Sequence, residues 1–181
     1  MNLYRLPLLL LACLLALAPL SGRAASREEL DAKVRGAVET LYKTSSAAKE
    51  LAGHASGMLV FPEVYKAGLV IGGEGGEGAL LQGGHTAAYY NIFGASIGLQ
   101  AGVQRKSVVI LFMNAAALKR FEDVKGFKIG VDGSIAIATL GTGGTIDSET
   151  VQKPVIAFVY SNQGLMYNLT LEGSKITRIS K

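Results

Sequence analysis

Three stretches of the 181-residue chain place residue types at spacings that chemistry could use. Residues 73–78 (GEGGEG) satisfy G-x-G-x-x-G, the loop whose backbone N–H groups cradle a pyrophosphate. Two acids, Glu74 and Glu77, stand where anionic phosphates would lie, and residues 79–84 (ALLQGG) do not open a helix of useful length. The segment therefore reads as a tight glycine turn or a bulged strand. The same carboxylates could meet calcium, but no regular series of oxygen ligands follows them. Residues 94–98 (GASIG) match the G-x-S-x-G of a hydrolase elbow, in which an acid and then a histidine follow the serine. Both histidines, His54 and His85, precede Ser96, and no H-E-x-x-H spacing occurs, so neither enzymatic activity nor a metal or other cofactor is expected.

The third stretch, residues 119–128 (KRFEDVKGFK), holds Lys119, Arg120, Lys125 and Lys128 beside Phe121 and Phe127. Cations next to aromatic rings suit the headgroup zone of a membrane, where rings enter the acyl boundary and bases meet anionic phosphates. The competing reading puts both phenylalanines in the core and leaves the charges to solvate a surface. Charge is asymmetric in the direction of the first reading. Residues 101–181 hold ten bases and six acids, whereas residues 25–100 hold six and eight. Arg105, Lys106, Lys175 and Arg178 would extend the positive side if the strands bring them together.

The elements that must position these residues begin with an apolar leader. Residues 3–20 (LYRLPLLLLACLLALAPL) carry one early base and lead into SGRAAS, the pattern of a secretory signal peptide. Cleavage after Ala24 is expected, with a periplasmic or outer-membrane-associated product; lipidation at Cys13 is the alternative. Beyond residue 24, sixteen bases against fourteen acids leave +2, too little for a nucleic-acid footprint, and there is no cysteine. With 49% hydrophobic and 18% charged residues the remainder suits one domain, residues 25–181.

Ser26 and Glu29 form a capping box, and the apolar spacing that follows predicts a helix over about 27–52, ended by Gly53. Nineteen of the 23 glycines then fall between Gly53 and Gly144. Alternating stretches at 57–61, 64–71, 79–82, 86–93, 94–103, 134–140, 155–160, 165–171 and 175–179 predict strands, with a short helix capped by Asn114. The expected class is α+β: a curved, mostly antiparallel glycine-rich sheet or small β-barrel with an N-terminal helix and one short helix packed on it.

Residues 57–62 (GMLVFP), 66–73 (KAGLVIGG), 75–81 (GGEGALL), 89–92 (YYNI), 95–102 (ASIGLQAG), 164–166 (GLM) and 173–177 (GSKIT) together resemble the SYLF domain, in order from about Ala47 to Ile179. This is a lipid-binding family, also labelled actin-binding from its eukaryotic members. The resemblance implies membrane-lipid binding without enzymatic activity. With the expected leader, the partner would be an anionic phospholipid of a bacterial envelope, met by Lys119, Arg120, Lys125 and Lys128, with Phe121, Phe127 or the N-terminal helix inserting. A protein-interaction module of unknown partner and a small outer-membrane β-barrel are the rival readings.

Overall fold

The structure, a computed structural model, describes residues 25–68, 71–97, 102–138, 146–161, 164–165, 171 and 173–181. The expected leader with Cys13, and most of the strand predicted at 165–171, lie outside the described residues. Helix α1 (Arg27–Thr44) starts as its sequence dictates, with the Ser26 hydroxyl accepting from the Glu29 N–H. It does not run on to residue 52. Ser45 takes an extended backbone (φ −143°, ψ 110°) and its hydroxyl accepts from the Ala48 N–H at 3.0 Å, starting a second helix, α2 (Ser46–His54). The Thr44-Ser45-Ser46 run explains the break: short hydroxyl side chains offer the backbone a competing partner and favour caps over helix interiors.

Four long strands follow: β1 (Gly57–Gly68), β2 (Ile71–Gln82), β3 (His85–Ile97) and β4 (Gly102–Phe112). Helix α3 (Ala115–Asp123), capped by the Asn114 side chain, leads to β5 (Phe127–Lys128) and β6 (Ala136–Ala138). A single turn, α4 (Ser148–Val151), precedes β7 (Val155–Ser161), β8 (Gly164–Leu165) and β9 (Lys175–Ile179). One sheet orders them β5-β9-β3-β2-β1-β4-β7-β6, with β8 on β7, and every pairing is antiparallel except β6 with β7. The sheet curls into a half-barrel and its described end strands do not meet, so the closed-barrel form of the expectation is not realised.

Several strand boundaries differ from expectation. The alternation over 94–103 belongs to two strands, the end of β3 and the start of β4. The glycine segment 73–78, predicted as a turn or a bulged strand, is strand throughout, and the irregularity lies in β1, whose register against β2 and β4 shifts near Pro62 and Glu63. That shift turns β1 carbonyls toward β2. A Cβ on Gly76 would stand 2.3 Å from the Glu63 carbonyl oxygen, and one on Gly78 2.2 Å from that of Val60. Glycine is what lets the two backbones approach this closely.

Both faces of the sheet are covered where they must be. The concave face holds Leu59, Phe61, Ile92, Val108, Ile110 and the side chains of α3. On the convex face α1 lays Leu30, Val34, Ala37 and Leu41, a stripe at helical spacing, over Val60, Val109, Ile156 and Phe158. Polar ties fix the helix there. Thr86 and Tyr89 hydroxyls donate to Asp31 at 3.0 and 3.1 Å, and the Tyr160 hydroxyl donates to the Ala37 carbonyl at 2.5 Å.

Burial pushes the Tyr160 phenol up to about 12. The folded state therefore keeps a proton that the unfolded chain loses near pH 10, so this group's contribution to stability is complete below pH 10 and disappears as pH climbs toward 12. Denaturant titrations between those values should show a steeper stability loss in the native chain than in Tyr160→Phe.

Candidate functional site

Pairing carries six residues into one row on the convex face. Lys128 of β5 stands opposite Lys175 of β9, Lys175 opposite Phe93 of β3, and Phe93 opposite Gly75 of β2. Gly75 in turn faces Tyr65 of β1, which faces Arg105 of β4. Directly paired residues share a face, with strands about 5 Å apart. Phe127, Ile176 and Ile92, each next in sequence to a member of the row, lie in the concave cluster, so the row points outward.

Phe93 is 67% exposed and Tyr65 48%, two of the four large hydrophobic side chains that stand exposed among the described residues. Gly75 leaves bare backbone between them; a Cβ there would touch the Phe93 ring at 3.8 Å. A third exposed side chain, Val131 (69%), sits in the turn after Lys128, where the Val131 N–H donates to the Lys128 carbonyl and the Lys128 N–H to Asp132.

The row is flanked by positive charge. Lys128 and Lys175 face each other with no acidic partner among the described residues. Like charges directly opposite on a sheet repel, and an anion seated between them relieves that repulsion. The aliphatic stem of Lys175 crosses Gly126, whose φ of +80° and lack of Cβ leave the room: a Cβ there would stand 2.5 Å from Lys175 Cε. At the other end Arg105 donates to Glu63 at 2.9 Å, and Lys33 of α1 takes the second carboxylate oxygen at 3.0 Å. Burial works against ionisation of Glu63, but Lys33 and Arg105 outweigh it and hold the carboxyl below its usual range. A cavity of about 170 Å³ lined by Lys33, Arg105 and Tyr160 lies beside this cluster; Lys33 and Arg105 share the single Glu63 carboxylate, and Lys33 also reaches Glu29 at 3.0 Å.

The residues named from sequence divide. Lys128 belongs to the row, and Lys125 is exposed in the turn that leads to it. Lys119 and Arg120 are exposed on α3, with the Lys119 ammonium held by Asp123 at 2.8 Å. Phe121 and Phe127 pack inside the fold. They are 2% and 5% exposed, and the Phe121 ring centroid lies 5.0 Å from Tyr90, 4.9 Å from Phe112 and 5.4 Å from Phe127. Amphipathicity is the reason: α3 presents Leu118 and Phe121 inward and its charges outward. The apolar stripe of α1 is committed to the core in the same way. Of the further bases, Arg105 and Lys175 join the row, whereas Lys106 is buried on the concave side and Arg178 stands opposite Tyr90.

The motifs that could suggest catalysis come apart. Glu74 and Glu77, three apart on β2, point to opposite faces; Glu74 accepts from Lys106 at 2.8 Å and Glu77 from Lys181 at 2.7 Å. Ser96 lies within β3 opposite Gly72, and both histidines are exposed. Among the described residues no three metal-ligating side chains converge, and no helix is long and apolar enough to cross a membrane.

No curated protein matches the chain. A family model does, over residues 93–181: Ysc84, described as Las17-binding protein actin regulator. The match takes in Phe93, Arg105, Lys128 and Lys175, four members of the row. Over residues 93–181 the chain is therefore similar to the SYLF (Ysc84) family, a family of binding domains associated with lipid and actin.

Proposed function

We propose that this chain adheres to phospholipid membrane surfaces, without catalysis, by pressing the convex row onto anionic headgroups. Phe93 and Tyr65 enter the interface, while Lys128, Lys175 and Arg105 meet phosphates. The observation that carries this reading is a pair of lysines, without an acidic partner among the described residues, beside an exposed phenylalanine: two like charges face each other, and an anionic, partly apolar surface complements them. Lys125, Lys119 and Arg120 add a more distant positive field. With the leader predicted from sequence, the surface is that of a bacterial envelope membrane facing the periplasm.

Each base near an anionic surface is worth about 1 kcal/mol, so removing three weakens partitioning about a hundredfold at low ionic strength. Co-sedimentation with vesicles containing phosphatidylglycerol should show that loss for Lys128→Gln/Lys175→Gln/Arg105→Gln and a smaller one for Lys119→Gln/Arg120→Gln. Adhesion should also fall as salt shortens the Debye length. Unchanged sedimentation of the triple variant contradicts the assignment.

A further inference from the structure

We propose that the cavity between α1, α2 and the β2–β3 turn holds the single acyl chain of a zwitterionic lysolipid, with a phosphate and an ammonium at its mouth. The cavity measures about 480 Å³, within the range of sites that enclose small ligands. Val38, Tyr42, Met58 and Leu81 form its walls. Val38 and Tyr42 project from α1 at the margin of the core and, like Leu81, are only partly buried, whereas Met58 is buried. Burial is still enough to push the Tyr42 phenol up.

The mouth is open and chargeable in two senses. Gly53, Gly83 and Gly84 line it, and a Cβ built on any of them meets nothing within 4 Å. Arg35 and Glu39 stand at the rim, one turn apart on α1, which places them on the same side of the helix. Both side chains are exposed, and neither makes a hydrogen bond or ion pair among the described residues. A guanidinium offers a fork to a phosphate and a carboxylate accepts from an ammonium. A fatty acid or a purely anionic lysolipid would satisfy Arg35 and leave Glu39 facing like charge. A phosphoethanolamine headgroup satisfies both, while its one chain lies along the apolar walls.

This goes beyond adhesion to a bilayer, since it concerns a monomeric amphiphile at a different place on the molecule, and the two claims fail separately. The test is calorimetric titration of the full chain with lauroyl lysophosphatidylethanolamine below its micelle concentration, beside lauroyl lysophosphatidylglycerol and laurate. One saturable site per chain is expected for the first. Gly53→Leu, a substitution into open space at a helical position, should weaken it about tenfold or more while circular dichroism stays native. Glu39→Gln should cost about tenfold for the zwitterion and nothing for the anionic lysolipid, whereas Arg35→Gln weakens both. Absence of saturable binding, full affinity in Gly53→Leu, or equal affinity for all three amphiphiles overturns the proposal. Phe93→Ser should lose vesicle adhesion yet keep the lysolipid site, so failure of the row leaves the cavity standing and failure of the cavity leaves the row.

Discussion

Lys106→Met should destabilise the fold by about 3–5 kcal/mol, and Glu74→Leu by a similar amount, because each leaves its partner charged and buried. The Lys106 ammonium lies 2.8 Å from the Glu74 carboxylate, with side chains only 4% and 6% exposed. The Ser174 hydroxyl lies 3.3 Å from the other Glu74 oxygen. Gly94 makes room for this cluster: a Cβ there would stand 2.7 Å from Ser174 Oγ. In the double variant Lys106→Met/Glu74→Leu no charge is stranded, so most of the loss should return. Urea denaturation of the four proteins completes the cycle. A double variant as unstable as the sum of its parents would contradict the pairing. Glu74 adjoins Gly75 of the convex row but points the other way, so a refolded double variant should also keep native vesicle adhesion.

The second large effect separates the two phenylalanines that matter. Phe121→Ala removes a ring packed at tilted and edge-on angles among Tyr90, Phe112 and Phe127 and should cost about 3–5 kcal/mol, the range for deleting a buried aromatic side chain. Where it remains folded, its adhesion to anionic vesicles should be native. Phe93→Ser should behave in the opposite way, with a stability change within about 0.5 kcal/mol and a clear loss of adhesion, since its ring is two-thirds in solvent. Denaturant midpoints and sedimentation measured on the same two variants check both halves. Loss of adhesion in folded Phe121→Ala would restore the insertion role that its burial denies.

The positions that were legible in the sequence are those where local chemistry decides. Ser26 and Asn114 cap α1 and α3 as their side chains require, and β9 begins and ends where its alternation does. Strand β4 gave no periodic signal because residues 108–112 (VVILF) are buried on both faces, with Val108, Ile110 and Phe112 in the concave cluster and Val109 and Leu111 in the convex one. β2 resembles a loop by composition. Its glycines answer to the β1 irregularity across the sheet, which no local pattern announces.

The candidate site was half legible for the same reason. Clustering in sequence identified Lys125 and Lys128, but Phe121 and Phe127 carry the same signal whether buried or inserting. Tyr65, Phe93, Arg105 and Lys175 are scattered over 111 positions and meet only through the register of five strands. The pairing of an exposed aromatic with two lysines is a property of the sheet.

The chain contains no tryptophan, so Phe93→Trp creates a single reporter at the centre of the row. Its emission, followed while phosphatidylglycerol vesicles are added, measures directly whether this face meets the membrane. A blue shift, with quenching by lipids brominated near the headgroup end of the acyl chain, is the predicted result. Emission unchanged under conditions where the protein sediments with the vesicles would place the contact elsewhere and contradict the account.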